Sequence, residues 1–475
     1  MNYKMIRYIV GSLLCVEGAL ILLPAASALI YRESVFAVFL AAAAACFLIG
    51  FLLRRRKPSN TKIYAAEGYV AVALCWIIMS IFGALPLYFS GFYSNPVDAL
   101  FEIVSGFTTT GATVVSDVKC LPRSILLWRS FSHWIGGMGV LVFILAILPV
   151  AGASGMHLMR AESPGPDVGK LVPKVRSTAT ILYGIYIALT ILEMLLLICA
   201  KAPVFDAVNL AFSTAGTGGF GILNSSAADY NPAIRIILTI FMILFGINFN
   251  VYFLIYAGGL RSALKCEEMR VYLAIILIAS LIIGINILPL YRSAPGAFLD
   301  SAFQVASIIT TTGFSSADFD LWPQLSRSLL VLLMFIGACA GSTGGGMKVC
   351  RLILMAKTVG KELTSITHPR TIRKIRLEGK PVEHEVIRST NVYVMAYLGI
   401  FVISVLLISL DGRDSVTTFT SVAATLNNVG PGLSGVGPTQ NFGSFSNLSK
   451  LVFIFDMLAG RLELFPILIL CAPGL

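Results

Sequence analysis

Apolar runs constrain this chain more than any other feature. They fall at about residues 8–31, 35–53, 67–90, 124–150, 178–200, 233–257, 270–290, 326–356, 391–410 and 449–471, near or above the roughly 20 residues a helix needs to cross a hydrocarbon core. Lipid offers no water to backbone N–H and C=O groups. Such runs must therefore be helical, with irregular backbone only where protein or an aqueous path surrounds it. A composition of 57% hydrophobic and 12% charged residues over 475 positions, with mean hydropathy +0.86, exceeds what a soluble core requires. The expectation is an all-α integral membrane protein with roughly ten spans, its partner the lipid bilayer.

The formal net charge of +11 does not form a nucleic-acid-binding domain. Lys and Arg cluster at Arg54–Lys57 with Lys62, at Arg160, Lys170, Lys174 and Arg176, at Arg261, Lys265 and Arg270, and from Lys348 to Arg388. The positive-inside rule makes these loops cytoplasmic. With Lys4 and Arg7 also inside, the N-terminus is cytoplasmic and the first two spans form a hairpin. The first 30 residues imitate a signal peptide with Ala26-Ser27-Ala28 as a cleavage site. An anchor is the preferred reading, because cleavage would leave the second span to start outside and still deliver Arg54–Lys57 inside. Nine cysteines without a C-x-x-C pair indicate neither disulfides nor a metal knuckle. His133, His157, His368 and His384 form no ligand pattern.

A Thr-rich string ending in Gly recurs within this apolar sequence. Thr108-Thr109-Thr110-Gly111-Ala112 returns as Thr310-Thr311-Thr312-Gly313-Phe314, more loosely as Ser213 to Phe220, and more loosely still as Asn427 to Gly432. Each copy follows a full span and a half-length apolar segment opened by an Asp, namely Asp98, Asp206, Asp300 and Asp414, read as helix N-caps. The unit is span, short helix, Gly-containing loop, span, at a period of about 100 residues. A half-length helix entering from outside aims the negative end of its dipole at the membrane centre, where it favours a cation. The following segment exposes carbonyls able to replace the hydration shell of K⁺, and Gly lets the backbone approach the ion. The candidate filter and K⁺-binding residues are Thr109, Thr110, Gly111 and Ala112; Thr217, Gly218 and Gly219; Thr311, Thr312, Gly313 and Phe314; and Asn428, Val429, Gly430 and Pro431. Four covalently linked membrane-pore-membrane repeats around a pseudo-fourfold pore follow, after an N-terminal hairpin. The divisions are 1–62 for the hairpin, 63–155, 170–262 and 268–358 for the first three repeats, 359–389 for a basic cytoplasmic loop, and 390–475 for the fourth repeat.

Two features lie inside spans. Gly337 to Lys348, with Gly341, Ser342, Thr343, Gly344, Gly345 and Gly346 between them, places glycines where each costs about 1 kcal/mol relative to Ala in a helix. A helix break is expected, read either as a movable flap below the filter or as close packing through small residues. Arg461 lies midway along the last span, where a charge needs a partner or water. It is read as an electrostatic barrier lining the pore, the other reading being a pair with Glu463 or Asp456. The basic loop from about 357 to 389 is a solvated surface and a docking surface for a cytosolic partner.

These residues resemble the Trk/Ktr/HKT superfamily of potassium transporters, and within it the bacterial TrkH-like branch. The resemblance covers nearly the whole chain and includes His133-Trp134-Ile135-Gly136-Gly137-Met138-Gly139 after the first filter and Gly460-Arg461-Leu462-Glu463-Leu464 in the last span. It implies a homodimer in a bacterial cytoplasmic (inner) membrane, each subunit with its own pore, with Gly111, Gly218, Gly313 and Gly430 at the filter. It further implies a constriction formed by the Gly337–Lys348 loop and Arg461. Regulation is expected from a cytosolic ring of nucleotide-binding RCK domains; NAD(H) or ATP/ADP belongs to that partner, and this chain carries no cofactor of its own. Gly111, where Na⁺ carriers of the family have Ser, points to K⁺. Gly216-Thr217, Asn427-Asn428 and Pro431 depart from the family pattern.

The expected function is K⁺ uptake across the cytoplasmic membrane through this filter. An ion-coupled secondary transporter, a Na⁺ or H⁺ symporter of the same fold, is the alternative. An enzyme would need an intramembrane nucleophile, carboxylate pair or metal set, and the sequence offers none.

Overall fold

The computed structural model describes residues 1–56, 58, 60, 63–139, 175–256, 259–368 and 374–470. The basic positions Arg160, Lys170 and Lys174, and the part of the expected 124–150 span beyond Gly139, lie outside them.

Helices Tyr3–Ile30 and Phe36–Arg54 form the N-terminal hairpin. They pack at backbone distance, because a Cβ added to Gly11 would lie 2.8 Å from the Gly50 carbonyl oxygen. Four units follow. Their long helices are Ala65–Phe89, Val175–Cys199, Glu267–Ile287 and His384–Ile408. Their short helices are Pro96–Phe107, Val204–Ala215, Ala294–Ile309 and Ser415–Leu426. Among the described residues, six helices, the hairpin pair and the four long ones, are long and apolar enough to cross a membrane. Their outer faces carry apolar side chains such as Leu48, Phe51 and Met395, each more than 60% exposed, a pattern suited to lipid and not to water.

The helices that close the units differ from the expected continuous spans. Residues 233–257 divide into Pro232–Phe245 and Phe249–Tyr256, which meet at 89°. Residues 326–356 divide around the Gly337–Lys348 loop into Gln324–Ile336 and Val349–Thr367. Residues 449–471 divide at Leu462–Leu464 into Asn447–Arg461 and Phe465–Leu470, with Glu463 and Leu464 at positive φ. In the first unit, Arg123–Gly137 ends beside Gly139 at φ 84°. Interrupted helices in this environment are tolerated where neighbouring protein satisfies the freed backbone groups, and the breaks cluster around one axis.

Three of the four expected N-caps are corrected. The first short helix begins earlier, at Pro96, and Asn95 caps it by accepting from Val97 N–H; the third begins at Ala294 with Ser293 as its cap. Pro at the first or second helical position pre-sets φ, which fixes the start ahead of the Asp. Pro203 precedes the second helix with no side-chain cap. Asp98, Asp206 and Asp300 are therefore inside their helices. Asp414 does occupy the cap position, accepting from Thr417 N–H.

Candidate functional site

The four Gly-containing strings converge on the axis in one repeated backbone form. Thr109, Thr217, Thr311 and Asn428 have φ between 53° and 58°, and two residues on, Gly111, Gly219, Gly313 and Gly430 have φ between 78° and 101°. Each string is tied to its own helix in one way. Thr110, Gly218, Thr312 and Val429 donate their N–H to the carbonyls of Ser105, Ser213, Ser307 and Ala424. The ring closes through contacts between strings. A Cβ at Gly111 would lie 2.0 Å from Gly218 O, at Gly219 1.9 Å from Thr312 O, at Gly313 2.2 Å from Val429 O, and at Gly430 2.6 Å from Thr110 O. Each glycine faces the carbonyl that precedes its counterpart in the next unit, and the fourth returns to the first.

This register corrects the second string by one residue. The equivalent of Gly111, Gly313 and Gly430 is Gly219, while Gly218 corresponds to Thr110, Thr312 and Val429. Gly218 is glycine for a separate reason: a Cβ there would fall 2.2 Å from the His133 ring, which fills the space a side chain takes in the other units. His133, to which the sequence assigned no chemistry, is a strut. Its Nδ1 lies 2.7 Å from Gly106 O and its Nε2 accepts from Phe220 N–H at 3.3 Å. One signal for the register was available. Asp98, Asp206 and Asp300 stand the same thirteen positions ahead of Gly111, Gly219 and Gly313.

In the second and third units the residue after the glycine, Phe220 or Phe314, turns back toward its helix, the counterparts being Ala112 and Pro431. Ser213 Oγ donates to Phe220 O at 2.9 Å and Ser307 Oγ to Phe314 O at 2.6 Å. The threonines brace the strings: Thr108 Oγ1 donates to Val104 O, Thr310 Oγ1 to Ala306 O, and each lies within 2.8 Å of the hydroxyl of Thr110 or Thr312. In the fourth unit Asn428 Nδ2 donates to Thr110 Oγ1 and Met457 O, both at 2.9 Å. Each short helix ends directly at the ring, so four partial negative charges surround it.

Charge pairs that the sequence reading did not identify hold this ring from behind. Arg129 and Glu102, both buried, pair at 2.8 Å, and Glu102 also accepts from Thr113 Oγ1 and Val114 N–H. Gln304 takes the same part in the third unit, accepting from Ser316 N–H. Two of the misassigned aspartates join neighbouring units: Asp98 pairs with Lys450 at 2.6 Å and Asp300 with Arg235 at 2.9 Å. Asp206 accepts from Tyr230 Oη at 3.0 Å.

The Gly337–Lys348 loop lies against one side of the ring. A Cβ at Gly344 would meet Thr310 O at 2.9 Å, and one at Gly345 would meet Asn427 O at 2.6 Å. Gly345 N–H donates to Thr311 Oγ1 at 2.6 Å, and Thr343 donates to Phe245 O through both N–H and Oγ1. Gly341 O accepts from Phe249 N–H. Ser342 Oγ donates to Cys339 O. Gly337 and Gly346 meet at the loop's neck, both at positive φ. Lys348, buried, turns its ammonium onto Gly344 O and Gly345 O.

Arg461 connects the remaining parts. Its Nη1 donates to Thr343 O at 2.8 Å and Thr109 Oγ1 at 3.3 Å, and its Nη2 to Gly136 O at 2.5 Å and Gly137 O at 2.7 Å. One guanidinium thus touches the ring, the loop and the first unit's helix end. Glu463 pairs instead with Arg351, at 3.1 and 2.5 Å, and Asp456 accepts from Ser404. The arrangement is a closed ring of four backbone strings with a loop and a fixed cation at its side.

Comparisons with known proteins bear on the family and the overall fold. The family model described as TrkH, cation transport protein, matches residues 35–474. The Trk system potassium uptake protein TrkH of Salmonella typhimurium is 37% identical over 484 residues, covering 100% of this chain and 99% of that protein. The protein of the same name from Vibrio parahaemolyticus is 38% identical over 491 residues, with the same coverage. The crystal structure of the potassium transporter TrkH from Vibrio parahaemolyticus superposes with a TM-score of 0.90 at 34% identity, covering 100% of this chain and 99% of that one.

Proposed function

The chain belongs to the TrkH family of cation transport proteins, and from that premise we propose that it takes up potassium ions across the bacterial cytoplasmic membrane through the ring of four glycine-containing strings. Family membership makes it a transporter and not an enzyme. The observation that carries the reading is the closed contact of Gly111, Gly219, Gly313 and Gly430 with the carbonyls of the next unit. Carbonyls held in a closed ring, at the negative ends of four short helices, suit a dehydrated monovalent cation.

In this reading the Gly337–Lys348 loop is the gate. Arg461 both holds it, through Thr343 O, and opposes cation passage beside it. The N-terminus is cytoplasmic, two chains pair with one pore each, and a cytosolic nucleotide-binding ring acts on the basic loop between the third and fourth units. The names of the curated relatives and the basic residues on that loop support this reading.

The test is growth at low K⁺ of cells lacking K⁺ uptake, with K⁺ flux in proteoliposomes. Rescue with a saturable flux is expected. Absence of both from a folded, membrane-inserted protein would contradict the proposal.

A further inference from the structure

A short hairpin between the third and fourth units, Arg376–Leu377 paired with Lys380–Pro381, ends in a turn at Glu378-Gly379. Glu378 is exposed, but its carboxylate is not idle. Its Oε1 accepts from the backbone N–H of Glu267 at 2.8 Å and of Glu268 at 3.2 Å. These are first-turn donors of the helix Glu267–Ile287, which has no side-chain cap from its own N-cap residue, Cys266. The cap is supplied from more than a hundred residues away. Lys357 secures the same junction, pairing with Glu267 at 2.5 Å and donating to Arg376 O at 2.8 Å.

The next side chain along that first turn enters the protein. Glu268 is buried, and its Oε1 accepts from Ala340 N–H at 2.7 Å and from Cys350 N–H at 3.1 Å. Ala340 and Cys350 bracket Gly341–Val349, the stretch that sets Gly344 and Gly345 against the ring. One carboxylate oxygen therefore closes both ends of the loop, and the backbone carrying it is capped from the cytoplasmic hairpin.

We infer that Glu378 and Glu268 are positioning residues for the intramembrane loop, transmitting the position of the cytoplasmic hairpin to both ends of the gate. The inference rests on the reading of this loop as a gate. Lifting the hairpin removes the cap; the first helical turn loses its acceptor, Glu268 shifts, and the two loop ends separate together. A partner that pulls on the hairpin thus opens the passage without touching the loop.

The test is rubidium tracer uptake into K⁺-loaded proteoliposomes containing the full chain alone. Variants are Glu378→Ala, Glu268→Ala, Glu268→Gln, the double Glu378→Ala/Glu268→Ala, and a chain lacking Gly344 and Gly345. Each alanine variant is expected to raise basal flux about fivefold or more, the low end of ordinary coupling between sites. The double variant should not exceed the larger single effect, because both residues serve one connection. Glu268→Gln keeps both the volume and an acceptor oxygen and should remain nearer the parent than Glu268→Ala; a further variant, Glu268→Met, keeps the volume alone and should leak like Glu268→Ala, which a loss of packing would not explain. If the loop deletion raises flux while both alanine variants match the parent, the connection is overturned and the gate reading survives. If the two alanine effects multiply, the residues act separately and the connection is likewise overturned. If no variant, including the deletion, raises flux, the gate reading fails and the inference with it. Should Glu268→Ala not fold, Glu378→Ala, on the exposed turn, decides alone.

Discussion

Gly219 faces the carbonyl of Thr312 so closely that a methyl group on it would lie 1.9 Å from that oxygen. The contact joins the second unit to the third and fixes which glycine of the pair Gly218-Gly219 belongs to the ring. With φ at 78°, any other L residue there adds a left-handed backbone cost of roughly 1–2 kcal/mol to the collision.

Gly219→Ala is therefore expected to lower K⁺ flux at least tenfold at equal amounts of folded protein. Gly399→Ala, in the fourth unit's long helix where an added Cβ meets nothing within 4 Å, should be neutral. Rubidium uptake by the two variants in proteoliposomes checks this.

Gly218 makes a different prediction, because its space is taken by His133 and not by the ring. Gly218→Ser should reduce the yield of monodisperse protein. Combining it with His133→Ala should recover part of that yield, since Thr110 and Thr312 show that the backbone accepts a side chain at the equivalent position. Size-exclusion profiles of the parent and the two variants measure the effect.

Arg461 donates to Thr343 O, Thr109 Oγ1, Gly136 O and Gly137 O. Arg461→Gln removes the charge and most of these contacts, and should raise basal K⁺ flux several-fold. Arg461→Lys keeps the charge but cannot reproduce a planar fork with four acceptors, and should fall between. A flux for Arg461→Gln at or below the parent would contradict the barrier role.

Lys450 and Asp98 pair at 2.6 Å with side chains 5% and 20% exposed. Removing one partner of a buried pair costs about 3–5 kcal/mol, whereas replacing both with apolar or neutral groups often costs little. Lys450→Met should lower the melting temperature more than Lys450→Met/Asp98→Asn. A thermal shift series on purified protein would detect the difference.

The repeated unit was legible because its signals are local. A Thr-Gly string, a half-length apolar segment and flanking basic loops are each read without knowing what packs against what. The helix starts were misread where a strong cap former, Asp98 or Asp300, competed with an earlier Asn95-Pro96 or Ser293-Ala294-Pro295; the aspartates were reserved for pairs with Lys450 and Arg235, partners invisible in linear order. The second register slipped because Gly218 and Gly219 look alike; the thirteen-residue spacing from Asp206 to Gly219 separates them in the sequence, and His133 beside Gly218 separates them in the fold. The breaks at 246–248 and 462–464 were hidden for another reason. Phe245-Gly246-Ile247 and Leu462-Glu463-Leu464 remain largely apolar, so hydropathy runs across them, and their freed backbone groups are satisfied by distant residues, as Gly246 O is by Cys339 N–H. The tie through Glu268 depends on the same kind of long-range contact.

Selection of K⁺ by the four-glycine ring is tested by the K⁺ over Na⁺ permeability ratio, from reversal potentials in planar bilayers, for the parent, Gly111→Ser and Gly313→Ser. A fall of roughly tenfold in either variant, about 1.4 kcal/mol of discrimination, is expected. An unchanged ratio in both, with conduction intact, would contradict the assignment.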